Sequence, residues 1–321
     1  VCVIDGLETQ VFLESLDAPG RVLSKLGVIQ RLIALFVYLA IHARRTDTVL
    51  VYNTQLFSIP IRLAKRLKGF QLILEVEEVF YLDDRNPVDV RRRGLEDALI
   101  AAADQYIFAS DLLANRFSAG KDFAVVYGGY TIPPRIAQRR MDGNIHVVYA
   151  GGIDSLRRVD YAVKAFGLLP DGFRLHILGK GADQELERLR LEIEKVNCEA
   201  GYEKAEYVGC LYGREYDAYL ESCHIGLNMQ SIGSSIEDVA YPSKISSYMG
   251  RGLTVVSGRL SSVVASPFAA TMQMYNASTP EEIAQAILTC KIQGYDTQTR
   301  MVFEAEKRFM TELERILSIG R

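Results

Sequence analysis

Lys244 stands where a lysine is costly. It lies in EDVAYPSKISSYMGRGLTVVS, residues 237–257, in which YPSK opens a short helix and TVV reads as a buried strand. Pro242 suits the first helical position and Ser243 suits the cap. With either start Lys244 falls in the first turn, where a cation opposes the helix dipole at about 0.3–1 kcal/mol. Two other loops repeat the feature. AGGIDSLRRVD sets Arg157 and Arg158 at the start of a helix capped by Asp154 or Ser155, after a strand ending in Gly151 and Gly152. GKG sets Lys180 between Gly179 and Gly181, small residues that let a ligand approach backbone N–H groups. A polyphosphate lying against helix N-termini and side-chain cations accounts for all three loops. The alternative is that the arginines point outward and pair with Asp154 and Asp160. Glu237 and Asp238, just ahead of YPSK, suit either sugar hydroxyls or a solvated loop.

The elements that must position these loops alternate. In the first half, apolar strands at residues 48–53, 71–80, 106–110 and 123–129 are separated by helices, one of them over 88–103. Residues 131–143, TIPPRIAQRRMDG, break the alternation with two prolines, clustered arginines and a glycine, and read as an interdomain linker. It restarts with strands at 145–151, 173–179, 206–211, 224–230 and 253–258, and an edge strand at 272–276. Helices are expected at 159–168, 183–195, 214–223 and 280–288, with an amphipathic last helix at 299–317. Strands apolar throughout and alternating with helices indicate parallel sheets covered on both faces. Ligands of such sheets bind beyond the carboxyl ends of the strands, where the three cationic loops fall.

With 321 residues, two domains are expected. The division is residues 1–140 and 141–299, with helix 300–321 packing back on the first. The net charge of −3 argues against wholesale nucleic-acid binding, and it is unevenly spread, +2 over residues 1–140 and −5 over the rest. Five widely spaced cysteines without a CxxC pair suggest a reducing compartment, with neither disulfide framework nor zinc site. His146 and His176 fall on strands and read as packing residues. VCVI at the first residue reads as a strand already under way, so the first domain is expected to be short of strands. The longest apolar run, LIALFVYLAI at 32–41, is too short for a bilayer, which needs about 20 residues, and reads as a buried helix, with an interfacial helix as the alternative.

Four segments in order, AGGIDSLRRVDYAVKAF, LHILGKG, EYVGCLYGREYDAYLESCHIGLNMQS and YPSKISSYMGRGLTVVS, resemble the donor domain of family 4 glycosyltransferases with the GT-B fold, in its "FPSK" variant. The resemblance spans residues 145–257. It implies an α/β protein of two Rossmann-like domains facing a cleft, the first of them read as truncated. It implies a cytoplasmic, retaining glycosyltransferase of polysaccharide or glycoconjugate synthesis. The donor is a nucleotide-diphosphate sugar as co-substrate, without a cofactor or metal, and the acceptor is a glycan or a lipid-linked molecule. By position, Arg157, Ser243 and Lys244 meet the diphosphate, together with the glycine loops Gly151–Gly152 and Gly179–Lys180–Gly181. Leu211 and Tyr212 flank the base, Glu237 and Asp238 lie near the sugar, and Glu77 and Glu78 fall where relatives carry a pair facing it. Two positions depart from the family. Ser247 replaces a ribose-binding Glu, and Gly152 replaces an Arg. A non-catalytic GT-B binding partner and a sugar-nucleotide epimerase are the alternatives. Basic residues at 62–68 and 91–93 also raise peripheral contact with the inner face of a membrane.

Overall fold

The computed structural model describes residues 2–4, 7–9, 21–83, 86–230, 232 and 239–318. Glu237 and Asp238 lie outside the described residues. The chain gathers into two compact units, Val1–Ile107 with Phe117–Phe123 and Ile316–Arg321, and Phe108–Arg116 with Ala124–Arg315.

In the first unit β1 (Cys2–Ile4) and β2 (Leu7–Thr9) form an antiparallel pair. Then come α1 (Arg21–His42), β3 (Thr48–Tyr52), α2 (Ser58–Lys68), β4 (Gln71–Val76), α3 (Pro87–Arg91), α4 (Arg93–Ala102) and β5 (Gln105–Phe108). After α5 (Asp111–Phe117), β6 (Phe123–Val125) completes a sheet of order β3-β4-β5-β6. Leu72, Leu74, Val76 and Phe108 are fully buried, as expected of strands covered on both faces. Gly69 ends α2 in the left-handed conformation, its N–H bonding the Lys65 carbonyl at 2.7 Å. The helix expected over 88–103 is broken at Arg92 into α3 and α4. The segment read as a buried helix is helical but not buried. Leu39 alone among the described side chains of α1 is buried, while Ile33, Val37 and Ile41 face solvent. Its residues are apolar on every side, and among the described elements α2 packs against it.

The second unit holds β7 (Ile145–Ala150), α6 (Val159–Leu168), β8 (Phe173–Leu178), α7 (Asp183–Ala200), β9 (Ala205–Gly209), α8 (Gly213–Glu221) and β10 (Ile225–Asn228). It continues with α9 (Lys244–Gly250), β11 (Thr254–Gly258), α10 (Ser261–Ala265), β12 (Gln273–Tyr275), α11 (Pro280–Thr289) and α12 (Tyr295–Ser318). The strands are parallel in the order β9-β8-β7-β10-β11-β12. This is the doubly wound order, and it reverses between β7 and β10. Val147, Phe166, Leu175, Ile177, Leu227 and Ile287 meet in the core beneath α6 and α11. Thr279 caps α11 by accepting from the Glu282 N–H, with Pro280 first in the helix.

The proline-rich segment 131–143 is pinned to this unit. Arg139 Nη2 donates to the carbonyls of Gly252 (2.6 Å) and Gln293 (3.0 Å), and the N–H groups of Ile136 and Ala137 donate to Glu221 Oε2 at 2.8 and 2.7 Å. Its end meets the two strand histidines, which form a buried polar stack. His146 Nδ1 lies 2.7 Å from His176 Nε2, His176 Nδ1 lies 2.6 Å from Glu206, and His146 Nε2 lies 2.9 Å from Asp142.

Candidate functional site

The loops leaving β7, β8 and β10 carry the cations picked out in the sequence, and they converge at the reversal in strand order. Lys244 comes from the first turn of α9. Its ammonium lies 4.6 Å from the centre of the Tyr149 ring and donates to Tyr149 Oη at 3.3 Å. The Tyr149 hydroxyl in turn donates to the Gly152 carbonyl at 2.5 Å. A side chain on Gly151 would begin 2.2 Å from Lys244 Nζ, so the bare glycine makes room for the ammonium. Burial, and then the nearby charge of Arg157, lower the Lys244 pKa to about 8, against the pull of Asp154. No carboxylate salt-bridges Lys244 among the described residues. The ammonium is therefore a desolvated cation next to a second cation.

Arg157 is arranged differently from expectation. The α6 helix starts at Val159, with Arg158 as its cap residue in the left-handed region at φ 51°. Asp154 caps a turn ahead of the helix, its Oδ1 accepting from the N–H groups of Leu156 (3.1 Å) and Arg157 (2.9 Å). Its other oxygen pairs with the Arg157 guanidinium. Arg158 stacks on Tyr161 at 3.7 Å and lies 3.7 Å from Asp160. The two arginines thus have the carboxylate neighbours of the outward-pairing alternative, and neither sits inside the first helical turn. The Arg157 guanidinium nevertheless lies over Gly152, 3.3 Å from where a Cβ there would be. Gly152 leaves its space to the arginine five residues on.

The glycines of GKG have a reason of their own. A Cβ on Gly179 would stand 1.8 Å from the Gly151 carbonyl oxygen, and one on Gly181 would stand 2.3 Å from the Ile153 carbonyl oxygen. Gly179 also holds φ 141°. The loops after β7 and β8 are laced together, Ile153 N–H donating to the Lys180 carbonyl at 2.9 Å and Tyr207 Oη donating to the Gly179 carbonyl at 2.8 Å. Close packing of backbone on backbone is by itself enough to exclude a side chain here. Lys180 itself is exposed.

Ser243 is exposed just ahead of Lys244 and caps nothing with its side chain. Gly128, at φ 75°, packs on this turn so tightly that a Cβ would lie 2.9 Å from Ser243 Cα. Leu211 is half-buried, and Tyr212 is 73% exposed at the start of α8. Ser247 is engaged by Arg251, which donates to its hydroxyl at 3.0 Å and pairs with Asp217 at 2.5 Å.

In the first unit, Glu77 and Glu78 follow the end of β4. Tyr52 Oη donates to Glu77 at 3.1 Å, and Asn53 Nδ2 donates to the Glu78 carbonyl at 3.0 Å. Burial, then Glu77, Glu96, Asp83 and Asp89, raise the Glu78 pKa. The loop is organised by Glu96, which the sequence reading passed over. Glu96 is fully buried and accepts from Asn53 Nδ2 (2.6 Å), Gln55 Nε2 (2.9 Å) and the N–H groups of Phe80 (3.0 Å) and Tyr81 (3.3 Å). Tyr149 was passed over as well. Among the described residues no cluster of His, Cys, Asp and Glu could hold a metal ion.

No protein-family description and no curated protein sequence matches this chain. Solved structures do. A trehalose-6-phosphate protein from E. coli, bound with UDP-2-fluoro glucose, superposes with a TM-score of 0.69 at 12% identity, over 94% of this chain and 79% of that one. The lipopolysaccharide outer core galactosyltransferase WaaB gives 0.65 at 14% identity, over 91% and 81%. Anabaena Alr3699/HepE, in complex with UDP, gives 0.64 at 15% identity, over 94% and 84%. The chain is α/β, with two parallel-sheet, Rossmann-like units, and shares the GT-B fold with these proteins.

Proposed function

We propose that this protein is a glycosyltransferase, of the family 4 kind with YPSK in place of FPSK, that moves a sugar from a nucleotide-diphosphate donor with retention of configuration. The observation that carries the reading is the Lys244 ammonium. It is desolvated against Tyr149 and Gly151, beside Arg157, at the strand-order reversal where doubly wound sheets bind ligands. A donor diphosphate supplies anionic partners for both cations. The solved structures of E. coli and Anabaena proteins with this fold hold UDP-2-fluoro glucose and UDP, which supports the same ligand class here.

In this reading the leaving diphosphate gains charge in the transition state, and Lys244 and Arg157 stabilise it without a metal or a cofactor. Arg157 exchanges part of its pairing with Asp154 for the phosphate. Ser243 joins them, the Gly151–Gly152 and Gly179–Gly181 loops line the donor, and Leu211 and Tyr212 flank the base. Asp238 is assigned to the sugar hydroxyls, and the catalytic carboxylates proposed are Glu77, Glu78 and Glu237. Burial and the neighbouring carboxylates raise the Glu78 pKa, the direction that favours a carboxyl able to hold and release a proton. The acceptor is a glycan or a lipid-linked molecule of polysaccharide or glycoconjugate synthesis, met in the cytoplasm. With a lipid-linked acceptor, the enzyme works at the inner face of the membrane.

One observation favours a second reading, a non-catalytic nucleotide-binding partner. Ser247 is committed to Arg251 and offers the ribose no carboxylate. Titration of the purified chain with uridine, UDP and a panel of nucleotide sugars, followed by donor hydrolysis, separates the two. Diphosphate binding with hydrolysis supports the transferase. Binding without hydrolysis or transfer to any acceptor supports the partner, and no diphosphate binding overturns both.

A further inference from the structure

A carboxylate only accepts hydrogen bonds, so each carboxylate of the histidine stack fixes a proton on the ring it faces. Asp142 lies 2.9 Å from His146 Nε2, which therefore carries N–H. Glu206 lies 2.6 Å from His176 Nδ1, which does so too, and Glu206 also accepts from the Tyr219 hydroxyl at 2.8 Å. In neutral rings the other two nitrogens, His146 Nδ1 and His176 Nε2, are then bare lone pairs. They face each other across 2.7 Å in a buried place. Arg140 supplies the missing protons. Its Nη1 donates to His176 Nε2 at 3.1 Å and to His146 Nδ1 at 3.3 Å, one hydrogen to each lone pair.

Arg140 belongs to segment 131–143, which carries the chain from β6 to β7. Its guanidinium also lies 4.9 Å from the centre of the Tyr219 ring, and its backbone N–H donates to the Ser222 carbonyl at 2.9 Å. The other charges around the stack are committed elsewhere. Lys204 donates to the Leu169 carbonyl at 2.5 Å, Arg174 donates to the Phe173 carbonyl at 2.9 Å, and Arg139 holds the carbonyls of Gly252 and Gln293. Exposed Glu203 lines a cavity of about 200 Å³ against the stack. His224 stacks on His146, its Nδ1 accepting from the His146 backbone N–H at 3.1 Å, and burial followed by Arg139 keeps it neutral down to about pH 4. Burial pushes the Cys223 thiol up to about 12, so it stays neutral as well.

A proton entering this arrangement settles between the two inward nitrogens, where it completes an N–H···N bond and takes both lone pairs from Arg140. It also sets a positive ring beside the guanidinium. We propose that the proton and Arg140 exclude each other from the histidine pair, so that acidification frees the Arg140 end of segment 131–143 while the sheet stays folded. The direction of the His146 pKa agrees, since burial chiefly, and then His176 and Arg140, lower it against the pull of Asp142. Arg140 is therefore held in full above the ordinary histidine value of about 6.5, and its hold is lost as pH falls through the lowered one. The exchange takes place toward the amino ends of β7 and β10, whereas the loops around Lys244 leave the carboxyl ends, and its test needs no nucleotide.

The test is hydrogen exchange of the full chain by mass spectrometry from about pH 7.5 to about pH 4, corrected for the intrinsic rate, with NMR titration of the His146 ring. The peptide holding Arg140 should lose protection by up to about tenfold per pH unit, the slope for one bound proton, at pH values where β7 and β8 keep theirs. Arg140→Met removes the competitor, so His146 should titrate at higher pH, and the same peptide should be poorly protected at every pH. Loss of protection in β7 and β8 together with the Arg140 peptide overturns the proposal, since acid would then unfold the unit instead of freeing the segment. So does protection at Arg140 that stays flat over the whole range, or a His146 titration that Arg140→Met leaves in place or moves lower. The pH series on the unaltered chain decides the matter even where the variant does not fold.

Discussion

Replacing Gly151 by alanine reaches the site without touching a charged residue. Gly151 lies outside the left-handed region, so alanine costs the backbone little. Its new Cβ would stand 2.2 Å from Lys244 Nζ, 2.5 Å from Lys244 Cε and 3.2 Å from Tyr149 Oη. Ordinary contact begins near 3.4 Å, so the tip of the lysine must retreat by more than an ångström, and it can, being the end of a flexible chain. The ammonium leaves the Tyr149 ring for water. Stability should change little, because a lost cation–π contact of about 0.5–2 kcal/mol is offset by rehydration of the charge. Nucleotide affinity should change a great deal. A charge-assisted hydrogen bond to phosphate is worth roughly 1.5–3 kcal/mol, which is about 10- to 150-fold in Kd. The assay is isothermal titration with UDP in the parent, Gly151→Ala, Lys244→Ala and the double variant. If the alanine acts by displacing the lysine, the double variant should be no worse than Lys244→Ala alone. A Gly151→Ala protein that binds UDP as tightly as the parent, or one whose loss adds fully to that of Lys244→Ala, refutes the reasoning.

Gly179→Ala is the contrasting case. Its Cβ would meet the Gly151 carbonyl oxygen, a backbone atom that cannot step aside, so soluble protein with an unchanged melting temperature would contradict the packing described. Glu78→Gln should lower sugar transfer while leaving nucleotide affinity in place, and it should not destabilise, since the charges raising the Glu78 pKa are Glu77, Glu96, Asp83 and Asp89 rather than arginines. A lowered melting temperature with full turnover per folded molecule would return Glu78 to a structural role. The histidine stack makes the fold acid-sensitive. Burial lowers the pKa of His146, and burial followed by Arg139 lowers that of His224, whose ring stacks on His146 from the start of the β10 segment, to about 4. Both then bind protons more readily unfolded, so their contribution is full above about pH 6.5 and lost as pH falls toward 4. Glu206, held at about 2 chiefly by its hydrogen bond with His176, adds a further loss below the usual glutamate value. Melting temperature should fall on acidification through this window and fall less in His224→Asn, which keeps an acceptor for the His146 N–H. A melting temperature that rises on acidification contradicts the assignment.

The second unit was legible because most of its strands are apolar on both faces and end at or just before a glycine or a polar residue. The register of α6 and the nature of α9 were less so. Asp154 reads as a helix cap, yet it caps a separate turn, and Arg158 takes the left-handed conformation that lets α6 start at Val159. The glycines of GKG read as room for a ligand, and the structure adds a demand of its own, contact with the Gly151 and Ile153 carbonyls. That contact joins loops about 28 residues apart in the chain, a pairing that one-dimensional spacing does not encode. Tyr149 was hidden because a tyrosine in an apolar strand reads as core, and its hydroxyl's partners, the Gly152 carbonyl and Lys244, the latter 95 residues on, come together only in the fold. Glu96 was hidden as one acid on a charged helix. Its four donors come from the loops after β3 and β4, which the sequence does not show to be adjacent. The apolar run in α1 misled in the opposite direction, since hydrophobic residues imply that something covers them and not that this chain does.

The central claim is that Lys244 stands ready for a diphosphate, and titration of Lys244→Ala tests it most directly. UDP affinity should fall about 10- to 150-fold, the worth of one charge-assisted hydrogen bond. Uridine should bind the variant and the parent alike, and the melting temperature without ligand should hold or rise, because a desolvated cation has left the neighbourhood of Arg157. A Lys244→Ala protein that binds UDP as tightly as the parent, or that melts lower without ligand while binding unchanged, would show that the lysine is structural and that the donor site assigned to YPSK is wrong.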